Sequence, residues 1–298
     1  MRTGKGVSLK LCRHLVLRGG PLRRAAMAVL VVLGLMCASG CERNAERSRQ
    51  AVKRDPNVLV VYAACSLVPA MEAARAQFEA ENTGKSVKIE GDEPAALVGR
   101  MEGGEVPDLM VCPGEAEIGV LERQGLLDRS TRQAIGSLGL AIAVPAGREE
   151  AIRDCQDLAS SGVRSITMST PGITSLGTDG KRAVEQAGLW SKIQNKLALQ
   201  ETPLAALKLL AEGKADAAII YDPCLRLQLA GEGDEIPADS VEVAARLELG
   251  EGRATRVYGV VHKQSPNALL AQRFLRLLVS EEMKLALAEA GLPGTGEQ

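Results

Sequence analysis

Two strand-to-helix junctions carry residue types that could bind an anion without any basic side chain. The segment Tyr62–Ser66 leads from an apolar run into a helical pattern, and Thr170–Gly177 does the same in the second half of the chain. A helix N-terminus exposes unpaired N–H groups at the positive end of the helix dipole, so each junction can hold an oxyanion. The hydroxyls of Ser66 and Tyr221 would add donors. The alternative is that Ser66 only caps its helix and that Tyr221 is a buried tyrosine with a satisfied hydroxyl.

Three cysteines fall near the ends of predicted strands and offer a different chemistry. Cys65 and Cys112 lie at the ends of two strands of the first half, and Cys224 follows one of the second half. As thiolates, together with nearby carboxylates, they could bind a soft or borderline cation. The candidate carboxylates are Asp92, Glu93 and Asp222. The cysteines could equally form one disulfide and leave a spare thiol, or be three small, half-buried residues, as free cysteines usually are.

The rarity of histidine and aromatic residues excludes several classes of function. The chain of 298 residues has two His and 2% aromatic residues, and His14 lies in a segment that we expect to be removed. A Ser–His–Asp hydrolase would depend on His262 alone, which we expect to be a hinge or surface residue, and a multi-histidine zinc site is excluded. The few stacking aromatics and the net charge of −1 argue against a nucleic-acid binder. We therefore predict neither catalysis nor a cofactor.

The elements that must position these residues alternate between strand and helix. A continuous apolar run at 58–62 predicts a strand buried on both faces, and a helical spacing follows it. Ser66 is predicted as the N-cap of that helix, and Pro94 opens another helix. The alternation predicts an α/β fold with mostly parallel sheets. The other predicted strands are 87–89, 108–112, 139–144, 165–168, 216–221, 241–246 and 255–261.

The order of these elements predicts two lobes joined by two crossing strands. Lobe 1 would comprise residues 57–138 and 262–298, and lobe 2 residues 139–261. Ligands of such folds lie between the lobes, where loops meet helix starts beyond the carboxyl ends of strands.

The N-terminal region has the charge and organisation of an export signal. Residues 1–41 hold seven of the 36 basic residues and no acidic one, which leaves 29 basic against 37 acidic residues, a net charge of −8, for the remainder. The apolar run at 25–36 suits a signal peptide and is short for a membrane span. Small residues then precede Cys41, which resembles the bacterial lipoprotein box. We predict a signal peptide at 1–40, a lipid on Cys41 and a disordered tether at 41–56. The alternatives are an ordinary secretory signal and an uncleaved anchor.

An ordered set of short motifs resembles the periplasmic molybdate-binding proteins, which are solute-binding components of ABC transporters. The motifs fall within residues 57–292 and begin with VVYAACS at 60–66. The others are EGG at 102–104, PDL at 107–109, AGLW at 187–190 and AIIY at 218–221. The resemblance implies a type II, two-lobed periplasmic binding protein fold that holds a tetrahedral oxyanion with neutral donors. On this resemblance Ser66 and Tyr221 match hydroxyl ligands, and Leu176 matches a backbone N–H donor.

Two further ligand positions of that family align with residues that lack the expected donor. Pro94 stands where the family has a ligand serine, and Pro203 stands where it has a backbone N–H, which proline does not possess. The two acidic residues before Pro94 would also repel a dianion. A shift of the alignment by one residue would make Ala95 or Leu204 the donor instead.

We therefore predict a monomeric solute-binding lipoprotein of an ABC transporter, in the periplasm or at the outer cell face. It would bind a small molybdate- or tungstate-like oxyanion and deliver it to a membrane permease. One alternative keeps the fold but binds a metal cation or another small solute through Cys65, Cys112, Cys224 and acidic residues. The other is a sensory or scaffold lipoprotein whose cleft has lost its ligand.

Overall fold

The computed structural model describes residues 54–224, 236, 240–247, 249 and 254–294. The predicted signal peptide, Cys41 and the tether as far as residue 53 lie outside the described residues. The tether was predicted to end at residue 56, but the Arg54 guanidinium already lies 3.4 Å from the fully buried carboxylate of Asp108. A buried charge requires a partner, so the contacts of the fold begin before residue 57. No helix in the described part of the chain has the length and apolarity needed to cross a bilayer.

Strands and helices alternate along the described residues, as the apolar pattern predicts. The strands are β1 (Val58–Ala64), β2 (Ser86–Asp92), β3 (Leu109–Pro113), β4 (Gln133–Leu138), β5 (Leu140–Pro145), β6 (Ile166–Ser169), β7 (Leu197–Gln200), β8 (Ala217–Tyr221), β9 (Val241–Leu247) and β10 (Thr255–Val261). The helices are α1 (Val68–Glu81), α2 (Pro94–Glu102), α3 (Ala116–Arg123), α4 (Ser175–Gln186), α5 (Trp190–Ile193), α6 (Pro203–Ala211), α7 (Ala268–Leu278) and α8 (Glu281–Glu289). The sequence analysis missed β4 and β7, which are partly buried and contain only short apolar runs.

The strands form two five-stranded sheets, one for each predicted lobe. The first has the order β2-β1-β3-β10-β4, in which β1 is parallel to β2 and β3, and β10 is antiparallel to β3 and β4. The second has the order β7-β6-β8-β5-β9, in which β6 is parallel to β7 and β8, and β5 is antiparallel to β8 and β9. This is the two-lobed α/β architecture of the type II periplasmic binding proteins, as predicted. Below, lobe 1 denotes the first sheet with its helices and lobe 2 the second.

The chain passes between the sheets twice, and the second crossing differs from the prediction. The first crossing is at Gly139, between β4 and β5. The second lies between β9 and β10, because all of β10 is hydrogen-bonded within the first sheet, for example Val257 with Pro113 of β3. Assigning residues 255–261 to lobe 2 was therefore wrong. The pattern of buried and exposed residues in β10 is compatible with either sheet, so only the pairing of the strands shows to which sheet β10 belongs.

The buried central strands place the predicted strand-to-helix junctions at the carboxyl ends of the parallel strands. Six of the seven β1 residues and all five β8 residues are buried, and each of these strands has neighbours on both sides. In lobe 1, Phe78 of α1 meets Phe274 of α7 edge to face at 5.2 Å and packs these helices together over the sheet. The connections that follow β1, β2, β3, β6 and β7 all lead into helices at the carboxyl ends of parallel strands, where ligand sites form.

His262 lies inside lobe 1, so its prediction as a surface residue was wrong. It is 1% exposed, and its Nδ1 accepts a hydrogen bond from the Gln264 N–H at 3.0 Å. Burial, helped by the nearby Arg54 charge, lowers the pKa of His262 to about 4, although Asp108 opposes this shift. The imidazole is therefore neutral at pH 7.

The buried neutral His262 is expected to make folding stability depend on pH. Its pKa is about 6.5 in the unfolded chain and about 4 in the folded one, so the unfolded state binds more protons between these values. Stability is retained above pH 6.5 and falls by up to about 3 kcal/mol as the pH is lowered to 4. Urea unfolding of the wild type and His262→Asn at pH 7, 6, 5 and 4 measures this. Equal losses of stability in both proteins would contradict the prediction.

Candidate functional site

A small cavity lies between the two lobes, where helices begin on both sides. Its volume is about 30 Å³, room for one or two water-sized molecules or a small ion. Lobe 1 lines it with the β1–α1 connection and the starts of α2 and α3, and lobe 2 with the starts of α4 and α6 and the end of β8. The structure brings all five predicted ligand positions to this cavity: Ser66, Pro94, Leu176, Pro203 and Tyr221.

The two helix starts of lobe 2 are built alike. The Thr174 hydroxyl accepts a backbone N–H of α4 at 3.0 Å, and the Thr202 hydroxyl accepts one of α6 at 3.1 Å. Leu176 and Leu204 are the second residues of these helices, so each has a first-turn N–H that the helix itself does not use. Pro203 occupies the first position of α6, where proline is favoured because an N–H is not needed there.

Ser66 lies at the cavity but does not cap a helix, contrary to the prediction. It is the middle residue of a single 3-10 turn, Cys65–Leu67, which precedes α1 without a side-chain cap. Ser66 is 6% exposed and lines the cavity together with Cys224 of lobe 2. Burial raises the pKa of Cys224, and the nearby Ser66 side chain opposes this shift. Ser66 therefore places a buried hydroxyl at the wall of the cavity.

The Tyr221 hydroxyl is satisfied within the protein. It donates to Oδ2 of Asp179 at 3.1 Å, and the Thr255 hydroxyl donates to the same oxygen at 2.6 Å. Oδ1 of Asp179 accepts from Arg182 at 2.7 Å. Burial, with the charge of Asp179, raises the pKa of Tyr221 well above its ordinary value. The hydroxyl hydrogen is directed to Asp179, which leaves the phenol oxygen as an acceptor.

Three glutamates line the cavity, and none of its described lining residues is Lys, Arg or His. They are Glu93 before α2, Glu117 in the first turn of α3, and Glu201 after β7. Burial raises the pKa of Glu93, the nearby Leu204 N–H opposes this shift, and the charge of Asp92 adds to it. The wall of the cavity therefore carries negative charge without basic side chains.

Glu117 makes the closest polar contact between the lobes. Its Oε1 accepts the Ser175 N–H at 3.0 Å, and its Oε2 accepts the Ser175 hydroxyl. The Ser175 hydroxyl in turn accepts the Ala116 N–H at 3.2 Å. The sequence analysis missed Glu117, although its place in the first turn of a helix that follows a predicted strand was a usable signal. Glu201 was missed because β7 was not predicted.

The structure does not favour the alternative in which three cysteines bind a metal ion. Cys65 and Cys224 line the cavity, but Cys112 is fully buried, and its thiol contacts the Pro113 carbonyl. Within the described residues no three His, Cys, Asp or Glu side chains converge to hold a metal ion. Burial, with the charge of Glu93, raises the pKa of Cys65 to about 12, so the free thiol is protonated at pH 7. The thiols are free, which agrees with the alternative of small, packed residues.

Comparison with known proteins assigns the chain to a family without deciding its ligand. A Bacillus subtilis (strain 168) protein, YvgL, provisionally named an ABC transporter substrate-binding lipoprotein, is 20% identical over 199 residues, which are 67% of this chain and 75% of that protein.

Two solved structures have a similar fold. The periplasmic molybdate-binding protein of Azotobacter vinelandii has a TM-score of 0.60 and 20% identity over 78% of this chain and 98% of that one. Iron-bound HitA of Pseudomonas aeruginosa has a TM-score of 0.55 and 19% identity over 81% of this chain and 88% of that one. At such identities the likeness shows the fold alone. The family model of the bacterial extracellular solute-binding proteins matches residues 59–292. With its two lobes and the cavity between them, the chain belongs to the bacterial extracellular solute-binding protein family.

Proposed function

We propose that this chain is the solute-binding subunit of an ABC importer and that it binds a small oxyanion between its two lobes. The observation that carries the proposal is the cavity, to which both lobes contribute helix starts and hydroxyl groups. A ligand there touches both lobes and therefore favours their closed arrangement. We further propose that the protein acts as a monomer outside the cytoplasm, anchored by a lipid on Cys41. It would deliver its ligand to the membrane permease.

The backbone at the cavity supports an oxyanion in particular. The first-turn N–H of Leu176 lies at the positive end of α4, where anions are stabilised without a basic residue. Pro94 has no N–H, but Ala95 follows it in the cavity wall and supplies a first-turn N–H of α2. The small cavity suits a compact ion better than a sugar or a peptide.

A second candidate is a small solute that donates hydrogen bonds, such as an ammonium ion or another cation. The observation that favours it is that three glutamates line the cavity, where no described lining residue is basic. The phenol oxygen of Tyr221, which donates to Asp179, would be a further acceptor.

Thermal unfolding with a panel of ligands distinguishes these candidates. The panel contains molybdate, tungstate, sulfate, ammonium and divalent metal ions. A ligand present at 100 times its Kd adds about 2.7 kcal/mol to the unfolding free energy. Stabilisation by an oxyanion supports the proposal, and stabilisation by cations alone supports the second candidate. If no member of the panel stabilises the protein, both are wrong.

Replacing Leu176 by proline is expected to weaken oxyanion binding about ten- to hundredfold, because the variant lacks one N–H donor to a charged ligand. Proline is acceptable at this second position of a helix, as Pro69 shows in α1. Leu176→Ala is the matched control, since it removes the side chain and keeps the N–H. Calorimetric titration with molybdate measures both variants. Equal affinities for the two variants would show that the Leu176 N–H does not touch the ligand.

A further inference from the structure

The Glu117 carboxylate lies where an oxyanion bound to lobe 2 would lie. Its two oxygens accept the N–H and the hydroxyl of Ser175, the first residue of α4. Both side chains are 5% exposed, so these charge-assisted hydrogen bonds are shielded from water. Glu117 belongs to α3 of lobe 1, whereas Ser175 belongs to lobe 2. The carboxylate therefore makes the contacts with which a helix N-terminus holds an anion, and it makes them across the cleft.

A glycine in lobe 1, Gly114, allows the two lobes to make this contact. Gly114, between β3 and α3, has a φ of +73°, a conformation that favours glycine. A Cβ at this residue would lie 2.3 Å from the Ser175 side chain. The lobes can thus approach this closely only because the position has no side chain. The Ala116 N–H returns a hydrogen bond to the Ser175 hydroxyl at 3.2 Å.

A second carboxylate of lobe 1, that of Glu93, lies at the same cavity as the start of α6 in lobe 2. Glu93, Thr202 and Pro203 all line the cavity. A carboxylate of lobe 1 thus lies near each of the two helix starts of lobe 2. Glu117 makes the better-defined contact, because both of its oxygens accept hydrogen bonds from the same residue.

We propose that Glu117 is an internal ligand of this cleft, which holds the lobes together in the empty protein and competes with an external oxyanion for Ser175. This rests on the proposed function, because the competition requires that the cleft binds an oxyanion. An oxyanion must displace the carboxylate before it can use the Ser175 N–H and hydroxyl. Glu117 then determines affinity, since ligand binding gains only the difference between the two sets of contacts.

Hydrogen exchange in the empty protein tests the internal contact without any ligand. The Ala116 amide is bonded to Ser175 only when the lobes touch, so its exchange reports this contact. In Glu117→Ala we expect the Ala116 amide to exchange about tenfold faster or more than in the wild type. Glu115→Ala is the matched control, because it removes a neighbouring carboxylate that does not line the cavity. Unchanged exchange in Glu117→Ala overturns the internal ligand.

Calorimetric titration with molybdate and sulfate tests the competition. Glu117→Ala is expected to bind at least one of them about tenfold more tightly than the wild type or Glu115→Ala. Faster exchange with unchanged affinity overturns the competition and leaves Glu117 as a structural contact. If no variant binds either oxyanion, the proposed oxyanion function fails, and the competition fails with it. Hydrogen exchange still decides whether Glu117 joins the lobes.

Discussion

Replacing Asp179 by alanine is expected to lower the free energy of unfolding by about 3 kcal/mol. Asp179 is 7% exposed, and its Oδ2 is the acceptor for the hydroxyls of both Tyr221 and Thr255. Without the carboxylate, two buried hydroxyls lose their partner, at about 1–3 kcal/mol each. Thr255 begins β10 in the first sheet, so the change also cuts a link between the lobes. Urea unfolding at pH 7 measures the loss.

The ion pair of Asp179 with Arg182 is not the source of this stability. The Arg182 side chain is 55% exposed, and an exposed pair contributes less than about 1 kcal/mol. Arg182→Ala is therefore the control and should be nearly neutral. In a Tyr221→Phe, Thr255→Val background, Asp179→Ala should cost much less, because the hydroxyls that need the carboxylate are gone. An equal cost in both backgrounds would contradict this explanation.

Asp108→Ala is expected to cost about 3–4 kcal/mol of unfolding free energy. The fully buried carboxylate accepts the Val60 N–H of β1 at 2.8 Å and the Ser265 hydroxyl at 2.7 Å. The alanine variant removes the acceptor of a strand N–H and of a half-buried hydroxyl, and it removes the carboxylate partner of Arg54. The urea midpoint of unfolding should fall accordingly, without a change in oxyanion affinity, because Asp108 does not line the cavity.

Two single variants separate the contributions of Arg54 and Ser265 to the loss of stability expected for Asp108→Ala. Arg54→Ala should cost less than Asp108→Ala, because the carboxylate keeps the Val60 N–H and the Ser265 hydroxyl as donors. Ser265→Ala should cost about 1 kcal/mol, since one acceptor remains bonded to the Val60 N–H. A loss in Arg54→Ala as large as in Asp108→Ala would show that the ion pair is the main interaction.

Most of the fold could be predicted because continuous apolar runs and helix starts are local signals. The run at 58–62 became β1, and Pro94 and Pro203 each open a helix as their fixed φ favours. The strand β10 was recognised but assigned to the wrong lobe. Its register and its sheet depend on pairing with β3, which is more than 140 residues away in sequence.

The sequence predicted which residues lie at the cavity better than it predicted which of their groups are free to bind a ligand. The five family positions all line the cavity, but Ser66 is not a cap and the Tyr221 hydroxyl donates to Asp179 instead of projecting a free donor. The structure does not favour metal binding by the three cysteines, because Cys112 is fully buried. A sequence shows that Cys112 lies near the end of a strand, but it does not show that the thiol is buried.

The sequence by itself determined the α/β class, the helix starts at Pro94 and Pro203, the scarcity of histidine and aromatic residues, and the acidic charge beyond residue 41. Only the tertiary structure decided that the Tyr221 hydroxyl and the N–H and hydroxyl of Ser175 already have partners at the cleft. Glu117 and Ser175 are separated by 58 residues, and Tyr221 and Asp179 by 42. A donor with such a partner can bind a ligand only by giving up that partner, and the partner lies far away in the chain, where no local pattern predicts it.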